Sequence, residues 1–193
     1  MVKGNEPEMP VQNAAASATP ADAAPNLEQV FREHASRVLS AAFRVTGSSQ
    51  DAEDVLQTVF VRLLRRGSRL ELGPNPSAYL RRAAVNAGLD VVRSRQSARA
   101  TPLEDNEPAL AAKGEEAPDR AAGSGEIRAQ VRKALGKLSP RSAEIFALRY
   151  FEGYDNHEIA GMLGTSRSTV AVILHRARHS VRESIRPRVG EKS

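Results

Sequence analysis

The chain has 193 residues, 28 Lys plus Arg against 23 Asp plus Glu, a formal net charge of +5, no Cys and no Trp. Without cysteine neither a disulfide framework nor a zinc-thiolate site can form. The longest unbroken apolar run, Val170 to Leu174, falls far short of the roughly 20 residues that cross a bilayer, and Met1 to Pro7 carry no apolar signal core. Ala, Leu, Arg and Glu dominate while β-branched and aromatic residues are scarce, so the expectation is a cytoplasmic, all-α protein with no membrane insertion.

In chain order, residues 1–26 lack apolar periodicity and include the run from Ala14 to Pro20, which predicts a disordered N-terminal arm. Apolar residues then fall at Leu27, Val30, Phe31, Val38, Ala42 and Val45. That spacing predicts a helix over 27–46, with Asn26 as N-cap and Gly47 as its stop. Ser48 or Ser49 caps a second helix whose opening turn carries Asp51, Glu53 and Asp54, as the helix dipole favours. Its apolar side is Val55, Leu56, Val59, Phe60, Leu63 and Leu64, and its polar side is Asp54, Gln57, Thr58 and Arg62.

Gly and Pro make a loop of residues 66–75, and Asn75-Pro76 opens a third helix running to about Arg95, with Asn as cap and Pro at its first position. Tyr79, Arg82, Asn86, Asp90 and Arg93 recur at helical intervals and form one polar stripe. Leu80, Ala83, Ala84, Ala87, Val91 and Val92 are left to face a core. Stripes of this kind are commonly solvated surface. Here, however, a stacking ring, an amide that can read a base edge and Arg groups for phosphate stand together, the combination that single-strand binding uses.

Charge divides the chain as well. Residues 61–100 hold nine Arg against two acids, residues 101–125 hold two bases against six acids, and residues 126–193 hold thirteen bases against seven acids. Two basic zones on either side of an acidic spacer predict two surfaces that meet a polyanion. The spacer, residues 97–125, contains Pro102, Pro108 and Pro118 and no helical stripe, and reads as a flexible linker. About 29 residues average roughly 30 Å end to end as a coil and reach roughly 95 Å extended.

Beyond the spacer, Ile127, Val131, Leu135 and Leu138 mark a short helix, and Ser139-Pro140 starts another that holds Ile145, Leu148 and Phe151 and ends at Gly153. Asp155 to Glu158 has the form of a capping box ahead of a helix with Ile159, Ala160 and Leu163. Gly164-Thr-Ser166 turns the chain into a long last helix whose apolar side is Val170, Ile173, Leu174, Ala177, Val181 and Ile185. The small Ala160, the turning Gly164 and the later aliphatics meet the demands of a helix-turn-helix. The same arrangement occurs in other helical bundles, and the basic run Arg176, Arg178, Arg182, Arg186 and Arg188 favours DNA as its partner.

Asp51 to Leu64 followed by Pro76 to Arg93 resembles region two of the extracytoplasmic-function (ECF) sigma factors of bacterial RNA polymerase. Leu138 to Gly153, continued through Ile159-Ala160, Thr169-Val170 and Leu174 to Arg178, is similar to region four of the same family. The resemblance covers roughly 130 residues of the chain and implies two small helical domains. These are region two over 27–96 and a helix-turn-helix region four over 126–188, joined by the linker and followed by a tail at 189–193.

What the resemblance implies is an alternative sigma factor without enzymatic activity or cofactor. It would bind core RNA polymerase through the clamp helices of the largest subunit and the flap, direct promoter recognition and melting, and be held by an anti-sigma factor. By position, Asp51, Asp54, Gln57 and Arg62 would face polymerase. Tyr79, Arg82, Asn86 and Arg93 would melt and capture minus-ten DNA. Ser166, Arg167, Ser168, Ala171, Val172 and His175 would project to the minus-thirty-five element, with Arg176 and Arg178 on phosphates.

Two departures stand out. Tyr79 occupies the place of the family's usual Trp, keeping a ring of smaller stacking area. Ala171, Val172 and Ile173 stand where Lys, Ser and Arg are common, so minus-thirty-five readout is expected to lean on Arg167, His175, thymine-methyl contacts and shape.

Other chemistry has little support. His157-Glu158 begins a zinc-protease pattern but lacks its second His, and His175 with His179 reads as a solvated pair rather than a metal site. No nucleophile triad, P-loop or dinucleotide fingerprint is present. Two other functions remain compatible with parts of the sequence: a dimeric helix-turn-helix regulator that works without polymerase, and a sigma-like decoy that titrates an anti-sigma factor.

Overall fold

The computed structural model describes residues 27–66, 72–100 and 122–186. Seven helices and no strand are found among them: α1 (Leu27–Thr46), α2 (Ser49–Arg66), α3 (Pro76–Ala100), α4 (Ala122–Lys137), α5 (Pro140–Tyr150), α6 (Asn156–Leu163) and α7 (Arg167–Ile185). The arm at 1–26 with its Asn26 cap, residues 101–121 of the expected linker and the tail at 189–193 lie outside the described residues.

Local chemistry accounts for the helix ends. Gly47 takes a left-handed φ of 70°, which glycine adopts without a Cβ penalty, and its N–H donates to the Phe43 carbonyl at 2.8 Å. Ser48 Oγ accepts from the Asp51 N–H at 3.3 Å, and Asn75 Oδ1 accepts from the Ala78 N–H at 3.0 Å ahead of Pro76. Each satisfies a backbone donor that an incoming helix leaves without an intrahelical partner.

Two boundaries differ from expectation. α3 continues past Arg95 to Ala100, because nothing between Arg95 and Ala100 breaks a helix and the first residue that does is Pro102, which disfavours helical geometry in Thr101 before it. α4 already begins at Ala122. Gly123, Ser124 and Gly125 are therefore helical against their propensity.

Helices α1, α2 and α3 pack into a first core of Val30, Val38, Ala41 and Ala42 with Ala52, Val55, Val59 and Leu63, closed by Leu80, Ala84 and Ala87. Phe31 and Leu64 were expected to be apolar-side residues, yet both stand open to solvent. Phe31 makes an edge contact with Phe60, ring centroids 4.8 Å apart.

A second core holds Leu135 of α4, Ile145 and Leu148 of α5, Ile159 of α6, and Val170, Leu174, Ala177 and Val181 of α7. The same cluster takes in Val45 of α1 and Val85 and Leu89 of α3. The two helical units thus share apolar packing, and α3 buries two faces: Leu80, Ala84 and Ala87 inward, Val85 and Leu89 toward α4–α7. Val85 and Leu89 fall between the polar stripe and the first apolar face, where they broaden the apolar surface of α3. Where α1 crosses α3, Gly88 allows close approach; a Cβ there would lie 3.1 Å from Val45 Cγ1.

Candidate polymerase and nucleic-acid interfaces

On α2, Asp54, Gln57 and Arg62 are exposed. They share the outer surface with Val61 and Leu64, which are 44% and 65% exposed. That surface is mixed apolar and charged, with two large aliphatic side chains open to solvent. Asp51 departs from this group. It is buried and accepts from Arg95 Nη2 at 2.5 Å, because the first turn of α2 faces the far end of α3 rather than solvent. Its carboxylate ties α2 to α3.

Along the α3 stripe, Tyr79 is half-buried against the first core. Its hydroxyl accepts from Arg66 Nη1, whose guanidinium carbon lies 5.9 Å from the ring centroid. Arg93 pairs weakly with Asp90 at 3.4 Å. Arg82 and Asn86 are engaged across the junction of the two units: Arg82 Nε and Asn86 Nδ2 both donate to Glu144 Oε1, at 2.7 and 2.9 Å. Arg82 Nη1 also donates to the Met162 carbonyl at 2.7 Å.

A second acid, Glu152, holds the same junction. Arg44 Nε and Arg81 Nε donate to its two carboxylate oxygens at 2.9 and 2.8 Å, and Arg81 Nη2 reaches its backbone carbonyl at 2.9 Å. The Glu152 side chain is fully buried. Arg81 also lies over the Tyr154 ring at 4.8 Å; burial pushes the Tyr154 hydroxyl above its ordinary value, while the Arg81 charge pulls it down. Sequence reasoning assigned no role to Glu144, Glu152, Arg44 or Arg81. The available signal was the placing of Glu144 between Ala143 and Ile145, acid amid residues that face a core.

In the second unit, α6 opens on a full capping box. Asp155 accepts from the His157 and Glu158 N–H groups at 2.7 and 2.8 Å, and Glu158 Oε2 returns the bond to the Asp155 N–H at 2.7 Å. Bonding from the Glu158 amide, helped by that of His157, holds the Asp155 carboxyl below its ordinary value. Gly164 ends α6 at a φ of 58°, a left-handed conformation suited to glycine. Ser166 caps α7 by accepting from the Thr169 N–H at 3.1 Å.

With Val170, Leu174 and Ala177 turned inward, the opposite side of α7 presents Arg167, Ser168, Ala171, Val172 and His175 to solvent, and Arg176 and Arg178 flank it. Val172 is 51% exposed, an apolar group at the centre of a surface rimmed by donors. The geometry is a helix, a tight left-handed turn and a second helix with an open outer face. That face can enter a major groove.

Residues 30–98 match the family description Sigma-70 region 2, and residues 128–180 match Sigma-70, region 4. RNA polymerase sigma factor CarQ of Myxococcus xanthus is 30% identical over 158 residues, 81% of this chain and 87% of CarQ. ECF RNA polymerase sigma factor SigM of Mycobacterium tuberculosis is 30% identical over 151 residues, 78% of this chain and 72% of SigM. The chain belongs to the ECF family of RNA polymerase sigma factors. This sigma factor is also 30% identical over 161 residues to ECF RNA polymerase sigma factor SigE of Mycolicibacterium smegmatis, covering 83% of its own length and 62% of that protein. A solved sigma factor RpoE, in complex with the anti-sigma factor NepR from Bartonella quintana, is similar at 20% identity with a TM-score of 0.49, over 83% of this chain and 97% of that one. In this sigma factor, α1–α3 contain region two and α4–α7 contain region four.

Proposed function

We propose that this sigma factor directs RNA polymerase to promoters through three surfaces, with RNA synthesis itself left to the polymerase. Asp54, Gln57 and Arg62, with Val61 and Leu64 beside them, dock on the polymerase, while Asp51 braces α2 against α3. Tyr79, Arg82, Asn86 and Arg93 take the minus-ten strand, the ring stacking and the Arg groups meeting phosphate. Ser166, Arg167, Ser168, Ala171, Val172 and His175 read the minus-thirty-five element, with Arg176 and Arg178 on its backbone. The chain works in the cytoplasm, where an anti-sigma factor controls it.

The observation that carries this reading is the open outer face of α7 behind the Gly164 turn, in a chain that also has a region two. A regulator independent of polymerase would leave residues 30–98 without a role. Purified protein added to sigma-free polymerase should be retained in a pull-down and should start transcripts from a subset of genomic fragments. Retention without any initiation, or no retention, would refute the proposal. Val172→Arg should shift the preferred minus-thirty-five sequence, because it adds a base-edge donor at the centre of the reading face.

A further inference from the structure

Arg82 and Asn86, two of the residues proposed above to take the minus-ten strand, have their polar groups occupied by region four. Both donate to Glu144 Oε1, at 2.7 and 2.9 Å, and Arg82 has a further acceptor in the Met162 carbonyl. Glu152 binds the region-two side of the same junction through Arg44 and Arg81, and its carboxylate has no exposure to water. By contrast, Arg167, Ser168, Ala171, Val172 and His175 on α7 are open in the same structure. The two surfaces proposed to meet DNA are therefore in different states: at the centre of the α3 stripe Arg82 and Asn86 are engaged by region four, whereas the outer face of α7 is free.

We propose that Glu144 and Glu152 form an intramolecular clasp that holds region four over the α3 stripe and keeps the free sigma factor from taking single-stranded minus-ten DNA. The proposal rests on the reading of Arg82 and Asn86 as strand-binding residues. Glu144 offers these two side chains the same kind of acceptor that a phosphate or a base edge would offer, so acid and DNA compete for one set of donors. Glu152 stabilises the closed arrangement without touching the stripe. A carboxylate sealed from water and bonded by two Arg groups of the other region keeps its hydration deficit offset only while the regions stay together. Apparent affinity for the strand is the intrinsic affinity reduced by the fraction of molecules that are open.

The native chain has no Cys, so Glu53→Cys and Ser180→Cys supply a unique pair of label sites, one exposed position on each region. In the full-length labelled protein, E144Q/E152Q should lower energy transfer between the dyes. It should also tighten binding of a fluorescein-tagged single-stranded DNA of randomised sequence by about tenfold, since losing the charged partners of a buried cluster raises the open fraction. Transfer equal to wild type would overturn the clasp. Lower transfer with unchanged DNA affinity would overturn the masking.

Should the variant fail to fold by circular dichroism, Glu144→Gln alone gives the second measurement, with the sealed Glu152 pairs left in place. Transfer should fall below wild type because Arg82 and Asn86 lose their charged acceptor, and transfer equal to wild type would overturn the clasp. Failure of the strand-binding reading is separately visible. Arg82→Ala/Asn86→Ala placed in the E144Q/E152Q background would then leave DNA affinity unchanged while the transfer signal still reported opening.

Discussion

Leu89→Ala tests whether the two regions share a core. Leu89 is 1% exposed and belongs to the cluster that contains Leu135, Ile145, Leu148 and Leu174. Truncating a buried Leu to Ala destabilises by about 2–5 kcal/mol, the spread reflecting how far the site can collapse. Were region two standing alone, this face of α3 would meet water and the same change would stay within about 0.5 kcal/mol. Undocking limits the transmitted effect: once the loss exceeds the docking free energy, the regions separate and region four keeps only its own stability.

Amide hydrogen exchange of α5 reads this directly, because Ile145 and Leu148 are fully buried in the cluster shared with Leu89. Their protection should fall by about tenfold or more in Leu89→Ala, tenfold corresponding to about 1.4 kcal/mol. Leu80→Ala serves as the control. Leu80 is equally buried but sits in the first core, so it should weaken α1–α3 while leaving α5 protection close to wild type. If Leu89→Ala loosens only α1–α3 and spares α5, the shared core is refuted.

Gly88→Ala should destabilise by about 1 kcal/mol in urea unfolding. The new methyl meets Val45, a fully buried β-branched side chain that cannot give way, and overpacking of about 1–3 kcal/mol outweighs the roughly 1 kcal/mol of helix propensity gained. Asp51→Ala should lower stability by about 1 kcal/mol, since Arg95 is half exposed and rehydrates when its partner leaves; polymerase capture should survive, whereas Asp54→Ala should weaken capture with stability unchanged. Asp155 should titrate by NMR below its ordinary 3.8. Because the folded value is the lower one, its capping contribution is fully present above pH 3.8 and is lost as pH falls through the lowered value; α6 amides should then exchange faster, and a titration at or above 3.8 would refute the cap's role.

Much of the architecture was legible in the residues because it is locally encoded. The 3.6-residue period from Leu27 to Val45, the cap and proline at Asn75-Pro76, the capping box at Asp155 and the turning Gly164 each act through neighbours a few positions away, so α1, the start of α3 and both ends of α6 fall where these signals stand. The outer faces of α2 and α7 followed from the same periodicity, as residues on the far side from an apolar stripe.

What the chain's order could not disclose was which polar groups find each other over long separations. Asp51 reads as an exposed first-turn acid, and only the crossing of α2 and α3 brings Arg95 to it. Glu144 and Glu152 look like ordinary helix and loop acids until α5 is set against α1 and α3, where Arg44, Arg81, Arg82 and Asn86 meet them. Val85 and Leu89 likewise become core residues only once a second unit covers them. Helix formation depends on dihedral preference and hydrogen bonds within about four residues. The pairing of buried charge and the choice of which apolar face is covered depend on which surfaces the packed helices bring within a few ångströms.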